Sequence, residues 1–283
     1  GMGRRAPVSL RVNPDVDAKT HPYISTGLKG NKFGIAHTDA LAAYRHAAAL
    51  PGLKVTGIDC HIGSQITETS PYLDAMDRVL DLVDAIEASG ITLDHIDFGG
   101  GLGINYHGET PPAADALWQL LLAKLDERGY GQRKLVIEPG RSISANAGVL
   151  LTRVEYIKQG WDRRIVIVDA GMNVLLRPTL HGAHHTLWPV CYAGFSGHWR
   201  SAAQAPGETV DVVGPICESG DFFCQNRELP DIQPGDTIAL MSAGDTFALH
   251  SHPQAEVYFG LEGEGEVLGQ VQVKCEVEGQ VLE

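Results

Sequence analysis

Four short apolar runs, at residues 8–12, 53–58, 95–98 and 134–137, are separated by stretches of helical periodicity. This alternation constrains the chain most, because consecutive strand–helix units fold as a parallel sheet covered by helices. The intervening stretches carry start and stop signals. Thr38 is placed to cap a helix running to Leu50, with Pro51-Gly52 ending it. Ser70-Pro71 reads as an N-cap and first-turn pair with Gly90 as the stop, and Thr110-Pro111 with Gly129 repeats the pattern. Leu73, Met76, Leu80 and Val83 recur at helical spacing as one buried face, and Leu117, Leu121 and Leu125 give a matching stripe. After Ala147 the helical period stops. Residues 149–157, 164–168, 209–213, 237–240 and 256–261 read as strands between Gly- and Pro-rich loops, with a long loop at 193–207. The expected architecture is α/β followed by β: a partial (β/α) barrel of about four units, then a β-rich domain.

A chain of 283 residues, 43% hydrophobic, has room for one barrel-sized domain or two ordinary ones. Acids outnumber bases 35 to 22, a formal charge of −13, which argues against nucleic acid or an anionic membrane as partner. No apolar run approaches the roughly 20 residues of a membrane span, and no signal-peptide pattern opens the chain. Five widely spaced cysteines without a C-x-x-C pair fit reduced thiols in a cytoplasm. Residues 245–283 hold eight acids and the single base Lys274, so more than half of the net charge sits there.

The chemistry-bearing residues gather where the apolar runs end. His61-Ile62-Gly63-Ser64-Gln65 follows the second run, Asp97-Phe98-Gly99-Gly100-Gly101-Leu102-Gly103 the third, and Glu138-Pro139-Gly140-Arg141-Ser142 the fourth. The C-terminal strand ends are where (β/α) barrels build their sites. Singly, the glycines are compatible with a turn, His61 with a structural hydrogen bond, and Glu138 with a salt bridge to Arg141. Together they supply a flat ring, backbone donors for an anion, a carboxylate and a guanidinium, the groups a pyridoxal phosphate site needs.

Six motifs in order resemble diaminopimelate decarboxylase, of the alanine-racemase-like fold: C-H-I-G-S-Q from Cys60, G-G-G-L-G from Gly99, E-P-G-R-S from Glu138, V-D-A-G-M-N from Val168, Arg177-Pro178, and C-E-S-G-D from Cys217. The resemblance implies pyridoxal phosphate as cofactor and decarboxylation of meso-diaminopimelate to L-lysine. It also implies a homodimer sharing its site across the interface, and a domain layout of 3–148 (barrel part), 149–244 (β domain) and 245–283 (tail). By resemblance, His61 stacks on the cofactor ring, Ser64, Gly100 and Gly101 hold its phosphate, and Glu138 keeps its ring nitrogen protonated. Arg141 contacts phosphate or a substrate carboxylate, and Arg177 with His181 binds the retained carboxylate. Cys217 gives a proton to the carbanion, a role open to thiols in general, whose reference pKa is about 8.5, and Glu218 reads the distal ammonium.

The sequence departs from the family in three ways. None of its eight lysines lies in the Y-A-x-K-A-N-like context of the Schiff-base lysine, and the chain reads as starting at a mid-barrel strand that carries Arg11. His181 stands where the family has tyrosine, and Asp245 follows Gly244 where the family has an aromatic. Beyond Gly244 the spacing of His250, His252, Glu256 and Gly263 resembles the first cupin motif, which implies a divalent metal on His250, His252 and Glu256. Both ends therefore read as cut, and half a barrel is expected to expose apolar surface and either self-associate or be poorly soluble. Other readings stay open: a different basic amino-acid or polyamine-precursor decarboxylase, a metal-binding cupin-type protein, or an inactive binding module.

Overall fold

The structure, a computed structural model, describes residues 5–18, 20, 25–27, 31–191, 207–244, 276–277 and 280–281. The chain divides into two units, Gly1–Asn105 with Glu109–Ser142, and Tyr106–Gly108 with Ile143–Glu283.

In the first unit, β1 (Ala6–Asn13), β2 (Ile35–Ala36), β3 (Leu53–Cys60), β4 (His95–Asp97) and β5 (Lys134–Val136) form a sheet in the order β2-β1-β3-β4-β5. Every pair is parallel. The crossovers carry α1 (His37–Ala49), α2 (Ser70–Ala88) and α3 (Ala114–Glu127), and a single turn, α4 (Arg141–Ser144), follows β5. Val12, Ile58, Cys60 and Ile96 face the helices and pack with Tyr44, Met76, Leu80, Val83, Leu117 and Leu121, all essentially dry. Burying each large side chain contributes roughly 1.5–3 kcal/mol. Strand alternation sends Arg11, Asp59 and Asp97 to the opposite face. That face carries charged side chains, and the exposed large apolar side chains of this unit include Leu120 and Leu122 on α3.

Three helix starts differ from the sequence expectation; at α2 the cap position is Thr69, without a side-chain hydrogen bond, and Ser70 is already the first helical residue. Thr38 does not cap α1: β2 is held by its pairing with β1 and runs directly into the helix, and the Thr38 hydroxyl donates to Asp39 instead. Thr110 does not cap α3, which begins only at Ala114. Pro111 and Pro112 push the residues before them out of the helical region, so the helix waits until both have passed. Gly90 and Gly129 end α2 and α3 at positive φ, as their positions required.

The second unit is a six-stranded sheet in the order β10-β9-β7-β6-β11-β8. Its strands are β6 (Leu150–Gln159), β7 (Arg164–Val168), β8 (Leu187–Cys191), β9 (Gly207–Val213), β10 (Phe222–Pro230) and β11 (Thr237–Leu240). Pairing is antiparallel except between β7 and β9. The short helix α5 (Arg177–His181) follows β7, and Val154, Val166, Val168, Val212, Phe223, Ile238 and Leu240 form the core. The two unanticipated strands, β8 and β10, are the ends of the sheet order. Pro189 interrupts β8, and β10 has two register shifts and Asn226 at φ 51°, features an edge tolerates. In the tail, β12 (Glu276–Val277) and β13 (Gln280–Val281) make a two-residue antiparallel ladder. Among the described residues no helix is long and apolar enough to cross a membrane.

Candidate active site

Register places Arg11, Asp59, Asp97 and Val136 side by side on β1, β3, β4 and β5, with Glu138 two residues past Val136. The carboxylate oxygens of Asp59, Asp97 and Glu138 lie within 4.8 Å of one another, metal-ligand spacing that no other acid, histidine or cysteine trio among the described residues shows. Three acids face one arginine, and the local charges respond. Burial first, then the Asp97 and Glu138 charges, push the Asp59 carboxyl up to about 6 against the pull of Arg11. Burial and the Asp97 charge likewise raise Glu138.

The loops beyond these strands are laced together by backbone hydrogen bonds. Ile66 N–H donates to the Gly101 carbonyl at 2.9 Å, Gly103 N–H to Ile66 at 2.9 Å, and Glu138 N–H to Gly99 at 2.7 Å. Gln65 adds its side chain, donating to the Ile104 carbonyl at 2.6 Å and accepting from the Ile104 N–H at 3.2 Å. Asp97 accepts the Gly99 N–H at 2.8 Å. Gly99 sits at φ 64°, and a side chain on Gly100 would run into the Glu138 carbonyl, so this close approach requires glycine.

His61 lies within this lacework. Its Nδ1 accepts the Gly100 N–H at 3.2 Å, which places the proton of the neutral ring on Nε2. Burial and the nearby Arg11 lower the imidazole pKa, so the ring is neutral at physiological pH. Arg141, buried at the start of α4, donates to Ser64 Oγ from Nε at 3.2 Å and from Nη2 at 2.7 Å. The first unit thus brings together His61, Ser64, Gly100, Gly101, Glu138 and Arg141. Gly100 spends its N–H on His61, and Ser64, Gly101 and Arg141 bring a hydroxyl, a backbone N–H and a guanidinium to the same loops. A flat neutral ring, a carboxylate of raised proton affinity and a half-buried hydroxyl held by a buried guanidinium fit an aromatic cofactor with a ring nitrogen and a phosphate.

Arg177, His181, Cys217 and Glu218 belong to the second unit. The buried Arg177 guanidinium lies 4.8 Å over the Tyr106 ring, with Nη1 3.5 Å from His185 Nε2. His185 Nδ1 donates to the Met241 carbonyl at 3.0 Å, which leaves Nε2 to accept. Cys217 and Glu218 are exposed on the loop between β9 and β10, and Glu218 accepts the Gly220 N–H at 3.3 Å. His250, His252 and Glu256 lie outside the described residues. Sequence reasoning gave no role to Asp59, Asp97 or Asp221. For Asp59 and Asp97 the available signal was a charged residue on the strand face opposite a run of aliphatic neighbours.

The parallel half-barrel with this site at its strand ends defines a cofactor-binding (β/α) domain. Residues 2–145 match the family model of the pyridoxal-dependent decarboxylase pyridoxal-binding domain, and the chain belongs to that family. Within it, diaminopimelate decarboxylase of Neisseria meningitidis serogroup A is 52% identical over 86% of this chain and 56% of its own length. That of Pseudomonas aeruginosa is 52% identical over 86% and 55%. The crystal structure of diaminopimelate decarboxylase from Helicobacter pylori complexed with L-lysine superposes with a TM-score of 0.74 at 39% identity, covering 86% of this chain and 57% of that one. The chain spans about half the length of the curated relatives it matches.

Proposed function

We propose that the chain serves decarboxylation of meso-diaminopimelate to L-lysine and carbon dioxide with pyridoxal phosphate, in the cytoplasm and as a homodimer. The observation that carries this reading is the neutral, Gly100-anchored His61 ring, joined through the same glycine loop to Glu138, together with the Ser64–Arg141 pair. When bound, pyridoxal phosphate supplies an electron sink for the pair released as carbon dioxide leaves. The chain's residues supply the rest. Ser64, Gly101 and Arg141 bind the phosphate, and His61 covers the ring with an uncharged face. Glu138, its proton affinity raised by burial and by the Asp97 charge, holds a proton on the ring nitrogen. Arg177, with His181 at the far end of the same helix, binds the carboxylate that is retained. Glu218 reads the distal ammonium, and Cys217 of the partner copy returns a proton to the α-carbon. We read 3–148 as the cofactor-binding part, 149–244 as the β domain and 245–283 as a cupin-like tail.

The test is the purified full chain with added pyridoxal phosphate, scored by ligand-dependent absorbance and by release of labelled carbon dioxide. Binding that weakens at least tenfold in Arg141→Ala, with turnover of meso-diaminopimelate over L-lysine and L-ornithine, is expected. Binding without preference for meso-diaminopimelate overturns the substrate, and no binding at millimolar cofactor overturns the whole reading.

A further inference from the structure

The loop that presents Cys217 is exposed from Pro215 to Ser219, yet it closes on the one buried carboxylate among the described residues, Asp221, at 3% exposure. Asp221 Oδ2 accepts the Ile216 N–H at 2.7 Å, immediately before Cys217. Asp221 Oδ1 accepts the Met172 N–H at 2.6 Å, in the turn that leads to the Arg177 helix. The loop closes on itself through Gly214 N–H to the Asp221 carbonyl and Asp221 N–H to the Glu218 carbonyl, both 3.0 Å. A side chain on Gly214 would run into the Asp221 carboxylate. A second tie joins the same two elements, because the Thr179 hydroxyl on α5 donates to the Gly220 carbonyl.

We infer that Asp221 is a positioning residue: its carboxylate fixes the Cys217–Glu218 loop against the turn and helix that carry Arg177. The inference rests on the roles proposed for those three residues. Charge-assisted bonds to backbone N–H groups are the strong kind, and the two oxygens each take a donor from a different segment. A side-chain amide cannot do this, since its NH2 would face one of the two N–H groups. A loop with five exposed residues would otherwise sample many conformations, and misplacement of about 1 Å in a reacting group costs on the order of 100-fold in rate.

Asp221→Asn in the full chain tests this, with Gly214→Ala as the second variant because it displaces the carboxylate and keeps its charge. Hydrogen exchange resolved to single amides should accelerate at least tenfold at Met172 or Ile216 in both variants, while Val166 and Ile238 in the sheet core stay unchanged. With meso-diaminopimelate, kcat should fall at least tenfold and KM rise at least fivefold, since Glu218 and Arg177 no longer hold one geometry. A lower folded fraction alone would reduce kcat and leave KM untouched, and that result overturns the inference. Unchanged exchange at both amides also overturns it. If the wild-type chain does not turn over, the proposed function fails, and amide exchange still decides the clamp.

Discussion

Replacing Asp59 with asparagine should make the first unit more stable near neutral pH, and much less so in mild acid. The Asp59 carboxyl moves from the ordinary aspartate value of 3.8 to about 6 on folding. Below the lower value both states carry the proton and there is no penalty. Between the two the unfolded chain releases its proton first, so the native state holds more protons and stability falls as pH rises. Above about 6 the loss is complete. At 1.36 kcal/mol per tenfold change in proton affinity, it amounts to about 3 kcal/mol before screening. Asp59 is half-buried and solvent reaches the row, so the working figure is about 1–2 kcal/mol. Asparagine keeps the shape and removes the charge facing Asp97 and Glu138. Urea denaturation followed by circular dichroism at the helix band reports the first unit, because α1, α2 and α3 all lie there. With a slope of roughly 1–3 kcal/mol/M, the Asp59→Asn midpoint should exceed wild type by about 0.5–1 M at about pH 7.5 and by much less at about pH 4.5. A variant no more stable than wild type at the higher pH, or a gap independent of pH, would refute the electrostatic reading of this row.

Other perturbations have equally definite outcomes. Leu121→Ala empties a fully buried position between α3 and the sheet and should cost about 2–5 kcal/mol in the same urea assay. Gly100→Ala drives a methyl into the Glu138 carbonyl, so cofactor affinity measured by fluorescence titration should fall at least tenfold. Iodoacetamide at about pH 8 should modify Cys217 in the native protein and spare Cys60 and Cys224, as read by peptide mass mapping. The latter two are buried, with the Cys60 thiol pushed up and that of Cys224 raised to about 11.

What was legible in the sequence followed from local chemistry. The stripes of α2 and α3 are one-dimensional patterns, and Met76, Leu80, Leu117 and Leu121 are buried where the spacing put them. The loop motifs were readable because glycine, histidine and glutamate at the end of an aliphatic run are out of place unless a site needs them. What stayed hidden depends on pairing. Nothing in D-C-H-I-G announces that Asp59 stands beside Arg11 and Asp97, since that follows from strand register alone. Asp221 was visible as the end of a motif, but its two N–H donors come from residues 5 and 49 positions away. The caps at Thr38 and Thr110 failed because strand pairing and a second proline outranked a side-chain hydroxyl. β8 and β10 escaped notice because edge strands tolerate the proline and irregular register that argue against a strand.

The row of acids also says something about why the site is built on a sheet. Three carboxylates within 4.8 Å oppose folding, and a flexible loop would relieve the repulsion by moving them apart. β1, β3, β4 and β5 cannot do so, because register holds Arg11, Asp59 and Asp97 at adjacent positions and the laced loops hold Glu138. The repulsion is therefore retained as a raised proton affinity at Glu138, the carboxylate that the proposed reaction needs as a strong acceptor. On this argument Asp97 need never touch the cofactor to matter. Together with burial its charge raises the proton affinity of the residue that does, and the pH-dependent instability carried by Asp59 is the same crowding seen from the side of folding.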